Sequence, residues 1–147
     1  MEQGKDHKLL EVRDVINTEG SRINYLRGLI RIAESDNDKS MVEIGYIDKI
    51  AEIIGASHAE IWQAEKQQEN NKLEGIKFTT KQQKVLFLIQ ALYLCWLDDD
   101  YSDAEREEII AIGNELEINL SEIEQIEAWI KQGIEWMRSG AELIGIN

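Results

Sequence analysis

The residues with the most chemistry in this chain are carboxylates set two apart in a short polar stretch, Asp98-Asp99-Asp100-Tyr101-Ser102-Asp103-Ala104-Glu105. Hard divalent cations such as Ca2+ and Mg2+ take several oxygen ligands from short, bendable backbone. Asp98 and Asp100 offer two carboxylates in a turn, and Glu105 offers a third from one turn into a following helix. The stretch Asp36-Asn37-Asp38-Lys39-Ser40-Met41-Val42-Glu43 has the same form 62 residues earlier. Both read Asp-x-Asp-x-Ser-x-x-Glu. The expected metal ligands are therefore Asp98, Asp100 and Glu105 in one turn and Asp36, Asp38 and Glu43 in the other. Ca2+ or Mg2+ is the expected ion, ahead of Mn2+. Neither turn is an EF-hand, which needs Gly at the sixth position and a bidentate Glu at the twelfth. Those positions hold Met41 and Ile47 in one turn, Asp103 and Ile109 in the other. Lys39 brings a competing ammonium into the first turn where Tyr101 stands in the second, so the second is the better cation site.

Ser-x-x-Glu also has a structural use. In a capping box the hydroxyl accepts from the third helical amide and the Glu accepts from the cap amide. On that reading Ser40, Glu43, Ser102 and Glu105 start helices and bind nothing. Ser57 with Glu60 and Ser121 with Glu124 form the same box without a preceding Asp pair. What capping leaves unexplained is the four aspartates.

Other chemistries find little support. Cys95 is the single cysteine and lies in an apolar run, which reads as a small core residue and excludes an internal disulfide or thiolate cluster. His7 and His58 lack partners at metal-ligating spacing. There is no Gly-x-Ser-x-Gly and no glycine-rich phosphate loop. Hydrolysis by paired carboxylates needs a cleft and two separated roles, which the sequence does not supply. Neither an enzyme nor an organic cofactor is expected.

The net charge of −13 is unevenly placed. Residues 98–147 hold 14 Asp and Glu against 3 Lys and Arg, and the rest is nearly balanced. Such a surface repels phosphate backbones and anionic membranes, and it attracts cations and basic protein surfaces. The partners expected are proteins, either a basic one or a second copy of this chain. No apolar signal segment opens the chain. The longest apolar run, Val85 to Leu97, is too short to cross a bilayer. A cytoplasmic location follows as the simplest expectation.

The elements that must position the turns are helices. The chain has no proline, so nothing interrupts helical hydrogen bonding. Apolar residues recur at helical spacing at Ile23, Leu26, Ile30 and Ala33, again at Ile44, Ile47, Ile50 and Ile54, and from Ile123 through Met137. A short helix is expected within residues 6–17. Ser21, Ser40, Ser57, Thr80, Ser102 and Ser121 are the expected starts of the next six helices, and Gly55 is an expected stop. Residues 70–78 read as the main internal loop. Residues 81–97 are apolar almost all round in their second half, the pattern of a helix buried on several sides. Trp62, Trp96, Trp129 and Trp136 read as core or interface. No alternation of strand type is present. The expected fold is all-α: a single compact bundle of about seven helices over residues 1–147, with a frayed tail at 139–147, although Leu143 and Ile144 could dock.

Residues 33–61 fall on 95–123 without a gap, pairing Asp36 with Asp98, Asp38 with Asp100, Ser40 with Ser102, Glu43 with Glu105, Ile47 with Ile109 and Glu60 with Glu122. The bundle is thus expected to be built from two repeated helix-turn-helix units, at about 21–68 and 80–138. This pattern resembles the TerB-like (tellurite resistance) family of helical domains, whose turns read Asp-Gly-x-x-Ser-x-x-Glu. Asp36, Ser40 and Glu43 match one turn, and Asp98, Ser102 and Glu105 match the other. Asn37 and Asp99 stand where the family has glycine, and both residue types tolerate left-handed backbone. The resemblance implies a single non-enzymatic domain that binds divalent metal at its acidic turns and takes part in a tellurite or metal stress response. The alternative is an acidic protein-interaction module with no specific metal site.

Overall fold

Two threonines, Thr18 and Thr80, open the helices on which everything else packs. Each hydroxyl accepts from a third helical amide, that of Ser21 or of Gln83, at 3.1 Å. The computed structural model describes residues 11–35, 41–70, 74–96 and 101–146, with the backbone alone for residues 41–44. Among these it has seven helices and no strand: α1 (Val12–Val15), α2 (Glu19–Glu34), α3 (Met41–Ile53), α4 (His58–Asn70), α5 (Lys81–Trp96), α6 (Asp103–Glu115) and α7 (Leu120–Leu143). None of them is long and apolar enough to cross a membrane.

The helix bounds keep a constant interval. Glu19 and Lys81, Met41 and Asp103, and His58 and Leu120 begin helices 62 residues apart; Glu34 and Trp96, and Ile53 and Glu115, end them at the same interval. The stops correspond as well. Gly55 has φ +75°, and the Ala56 amide reaches back to the Ala51 carbonyl at 2.9 Å. Glu117 has φ 62°, and the Ile118 amide reaches back to Gly113 at 2.8 Å. Both are closures of the kind that needs a left-handed residue after the helix.

The centre of the core is the crossing of α2 with α5. Leu26, Leu29, Ile32 and Ala33 are buried on one, and their counterparts Leu88, Ala91, Leu94 and Cys95 on the other. Tyr25 and Phe87, also 62 apart, meet edge to face with ring centroids 5.7 Å apart and planes at 81°. Each ring rests over the helix opposite. The Phe87 ring lies where a Cβ on Gly28 would collide with it. At position 90, the counterpart of 28, Gln90 Oε1 accepts from the Tyr25 hydroxyl at 3.4 Å. Helices α3 and α4 complete the packing on α2, and α6 and α7 do so on α5.

Three sequence expectations are corrected. Thr18, not Ser21, caps α2; Ser21 is the third helical residue and returns a bond to the Thr18 amide. Asn119, not Ser121, caps α7, with Glu122 closing the box. The helix also runs unbroken to Leu143, through the segment expected to fray. Leu143 and Ile144 do not dock but stand 88% and 74% exposed.

Candidate functional site

The four aspartates that carry the cation expectation, Asp36, Asp38, Asp98 and Asp100, lie outside the described residues, and Glu43 is described only as helical backbone. The described part of the second turn begins at Tyr101. Ser102 caps α6: its Oγ accepts from the Glu105 amide at 3.1 Å, and Glu105 Oε1 accepts from the Ser102 amide at 3.1 Å. Glu105 is 2% exposed. One of its carboxylate oxygens is therefore committed to the helix start, as the capping reading expects. Among the described residues no group of three or more His, Cys, Asp or Glu side chains is placed to hold a metal ion.

The turn is fastened on its far side. Tyr101 packs against Trp96 with its ring tilted by 42° and centroids 5.5 Å apart, and its hydroxyl donates to Glu127 Oε2 at 2.6 Å. Arg106 grips the same carboxylate with both arms, at 2.9 and 3.2 Å. Burial first, and then the hydrogen bond to Glu127, push the Tyr101 phenol far above its ordinary range, which keeps it a proton donor. The end of α5, the start of α6 and the body of α7 are thus tied at one point.

Two other charge networks brace the fold. Arg22 on α2 forms a two-armed bond to Glu60 at 2.9 and 2.8 Å, while Glu60 also closes the Ser57 cap. The bond to Arg22 holds the Glu60 carboxyl below its ordinary range. Arg31 bonds Glu108 and Glu115 on α6, and Glu115 Oε1 also accepts from the Ile76 amide at 3.0 Å. Burial pushes Glu115 upward, but Arg31 and the Ile76 amide outweigh it and hold the carboxyl low. Together with Arg27 donating to the Glu74 carbonyl at 2.9 Å, these bonds pin the 74–80 connection to the bundle.

Among the described residues, two grooves with larger linings than a third shallow one of about 460 Å³ beside the start of α5 bear on function. One of about 550 Å³ lies between α3, α5 and α7, lined by Tyr46, Tyr93, Trp129, Ile134, Trp136 and Met137 among others, with no ionised side chain in it. The other, of about 420 Å³, lies between α2, α3 and α4. Sequence reading missed the first groove because helical spacing alone does not tell which apolar residues find a neighbour. Trp129, Trp136 and Met137 are more than half exposed, as is Trp62, while Trp96 is partly buried. The helix α7 has 24 residues against 13 for α4, so it runs 11 residues past position 132, which corresponds to the end of α4, and carries Trp136 and Met137 on that extension.

Comparison with protein-family models, curated proteins and solved structures gives no match to this chain.

Proposed function

We propose that this chain is a non-enzymatic, TerB-like cytoplasmic domain made from a duplicated helix-turn-helix unit, binding a divalent cation at its acidic turns as part of a metal or tellurite stress response. The observation that carries the duplication is the constant interval between helix starts, with matching caps, matching left-handed stops and the facing pair Tyr25 and Phe87. In the sequence the two Asp-x-Asp stretches stand at that same interval, each after one helix and before the next, which supports reading them alike. Glu105 is engaged in capping, so Asp98 and Asp100 are the first ligands of this reading, with Asp36 and Asp38 in the other half. Calorimetric titration with Ca2+, Mg2+ and Mn2+ tests it. Saturable binding that loses one site in the double variant Asp98→Asn, Asp100→Asn, and all sites when Asp36→Asn and Asp38→Asn are added, is the expected result. No saturable heat with any of the three ions near neutral pH ends the metal reading.

A second reading, an interaction module, is favoured by the groove beside α7. Its residues carry no charge in a chain of net charge −13. An uncharged apolar face is where a second, equally acidic copy meets least repulsion. Sedimentation equilibrium should show a dimer that Trp136→Ser disperses. A wild-type chain that stays monomeric at every concentration tested, in low and in high salt, excludes it.

A further inference from the structure

The groove between α2, α3 and α4 has an apolar floor and an acidic rim. Leu26, Ile30, Ile47 and Ile61 form the floor. Four carboxylates, Glu34, Asp48, Glu65 and Glu69, stand around it with one ammonium, Lys66, which lies 3.9 Å from Glu69. Gln68 also lines the groove. It is 4% exposed, and its Oε1 has no hydrogen-bond partner among the described residues. A buried amide oxygen without a donor is unusual in a folded protein, and a ligand N–H would satisfy it.

The other half of the molecule lacks these features at the corresponding positions. Ile130 stands in place of Gln68 and is buried, and Trp96 stands in place of Glu34. Tyr101 packs against that Trp96, and Glu127, the counterpart of Glu65, is held by Tyr101 and Arg106. The second half thus closes with its own side chains the region that the first half leaves open and lines with an unsatisfied acceptor.

We propose that the first-half groove binds a small amphipathic organic cation, with a primary ammonium donating to Gln68 Oε1 and an apolar chain laid along Leu26, Ile30, Ile47 and Ile61. A volume of about 420 Å³ suits a small molecule. The net negative rim selects a cation over an anion of the same length. The proposal does not rest on a metal at the acidic turns.

Octylammonium and octanoate are the probes, each titrated below its micelle concentration into the full chain and followed by amide-resolved NMR. The expected result is saturable binding of octylammonium, with the largest shifts at the Gln68 side-chain amide and in α2 and α4, and no saturable binding of octanoate. Gln68→Ile, which installs the residue of the second half, should weaken octylammonium at least tenfold. Should that variant not fold, Glu34→Gln combined with Glu65→Gln must weaken it at least threefold. Equal binding of octanoate, shifts centred on the Trp129 and Trp136 indoles, or unchanged affinity in the variants overturns the proposal.

Discussion

The Tyr101 hydroxyl donates to Glu127 Oε2 across 2.6 Å, joining the residue just before the α6 cap to the body of α7. Because Arg106 holds the same carboxylate, the phenol meets an acceptor already fixed in place. Hydrogen bonds to a charged group contribute about 1.5–3 kcal/mol. Tyr101→Phe keeps the packing against Trp96 and removes only the bond, so chemical denaturation should show a loss near the lower end of that range. A loss under about 0.5 kcal/mol, the spread of ordinary surface changes, would mean that the bond contributes little.

The helix caps separate two serines that look alike in sequence. Ser102→Ala removes a capping hydroxyl and should cost about 0.5–2 kcal/mol, and Asn119→Ala should cost a similar amount. Ser121 is an exposed residue inside α7, so Ser121→Ala should stay within about 0.5 kcal/mol of wild type. Urea melts of the three variants measure this directly. A large effect at Ser121 would argue for a different start to α7.

Glu117 occupies a left-handed conformation at φ 62° where its counterpart is Gly55. An L-residue with a Cβ pays about 1–2 kcal/mol there relative to the right-handed region, whereas glycine does not. Glu117 is exposed and follows the last turn of α6. Glu117→Gly should therefore raise stability, by about 0.5–1 kcal/mol after the extra freedom of glycine in the unfolded chain is counted. A lower thermal midpoint for the variant would refute this.

Acid should weaken the fold through its ion pairs. Glu60 and Glu115 have carboxyls held below the ordinary value of 4.5 by Arg22 and Arg31. The unfolded chain takes up protons at these groups before the folded one does. Their stabilisation is present above about pH 4.5 and is lost as pH falls through the lower folded values. Thermal melts from neutral to acid pH should show a midpoint that declines only in that acid window. Glu60→Gln should lower the neutral midpoint and flatten the decline. An undiminished acid slope in that variant would show that Glu60 is not among its sources.

Much of the helical frame was legible in the sequence because caps and apolar spacing agree. Thr80, Ser57 and Ser102 start helices as their spacing predicts, Gly55 stops one, and Cys95 is buried. The wrong starts came where two capable residues lie close together, Thr18 near Ser21 and Asn119 near Ser121. A local motif does not choose between them. The interval does, since Thr18 precedes Thr80, and Asn119 follows Ser57, by the same 62 residues. The role of Glu105 as a cap partner was also readable. The charge networks were not: Arg22 meets Glu60 from 38 residues away and Arg31 meets Glu115 from 84, so only the fold brings them together. The exposed face of α7 was not legible because a stripe of Ile, Trp and Met has the same spacing whether or not a neighbour covers it, and among the described residues nothing beyond Ile130 is buried.

The crossing of α2 with α5 makes its two sides complementary and not interchangeable. Position 28 is a glycine that makes room for a bare phenyl ring, and position 90 is an amide that answers a phenol. A chain assembled from two first halves would set each tyrosine hydroxyl over a glycine that has no side chain to receive it. A chain assembled from two second halves would drive each phenylalanine against a glutamine side chain. The two halves match in outline, yet each depends on the other being different.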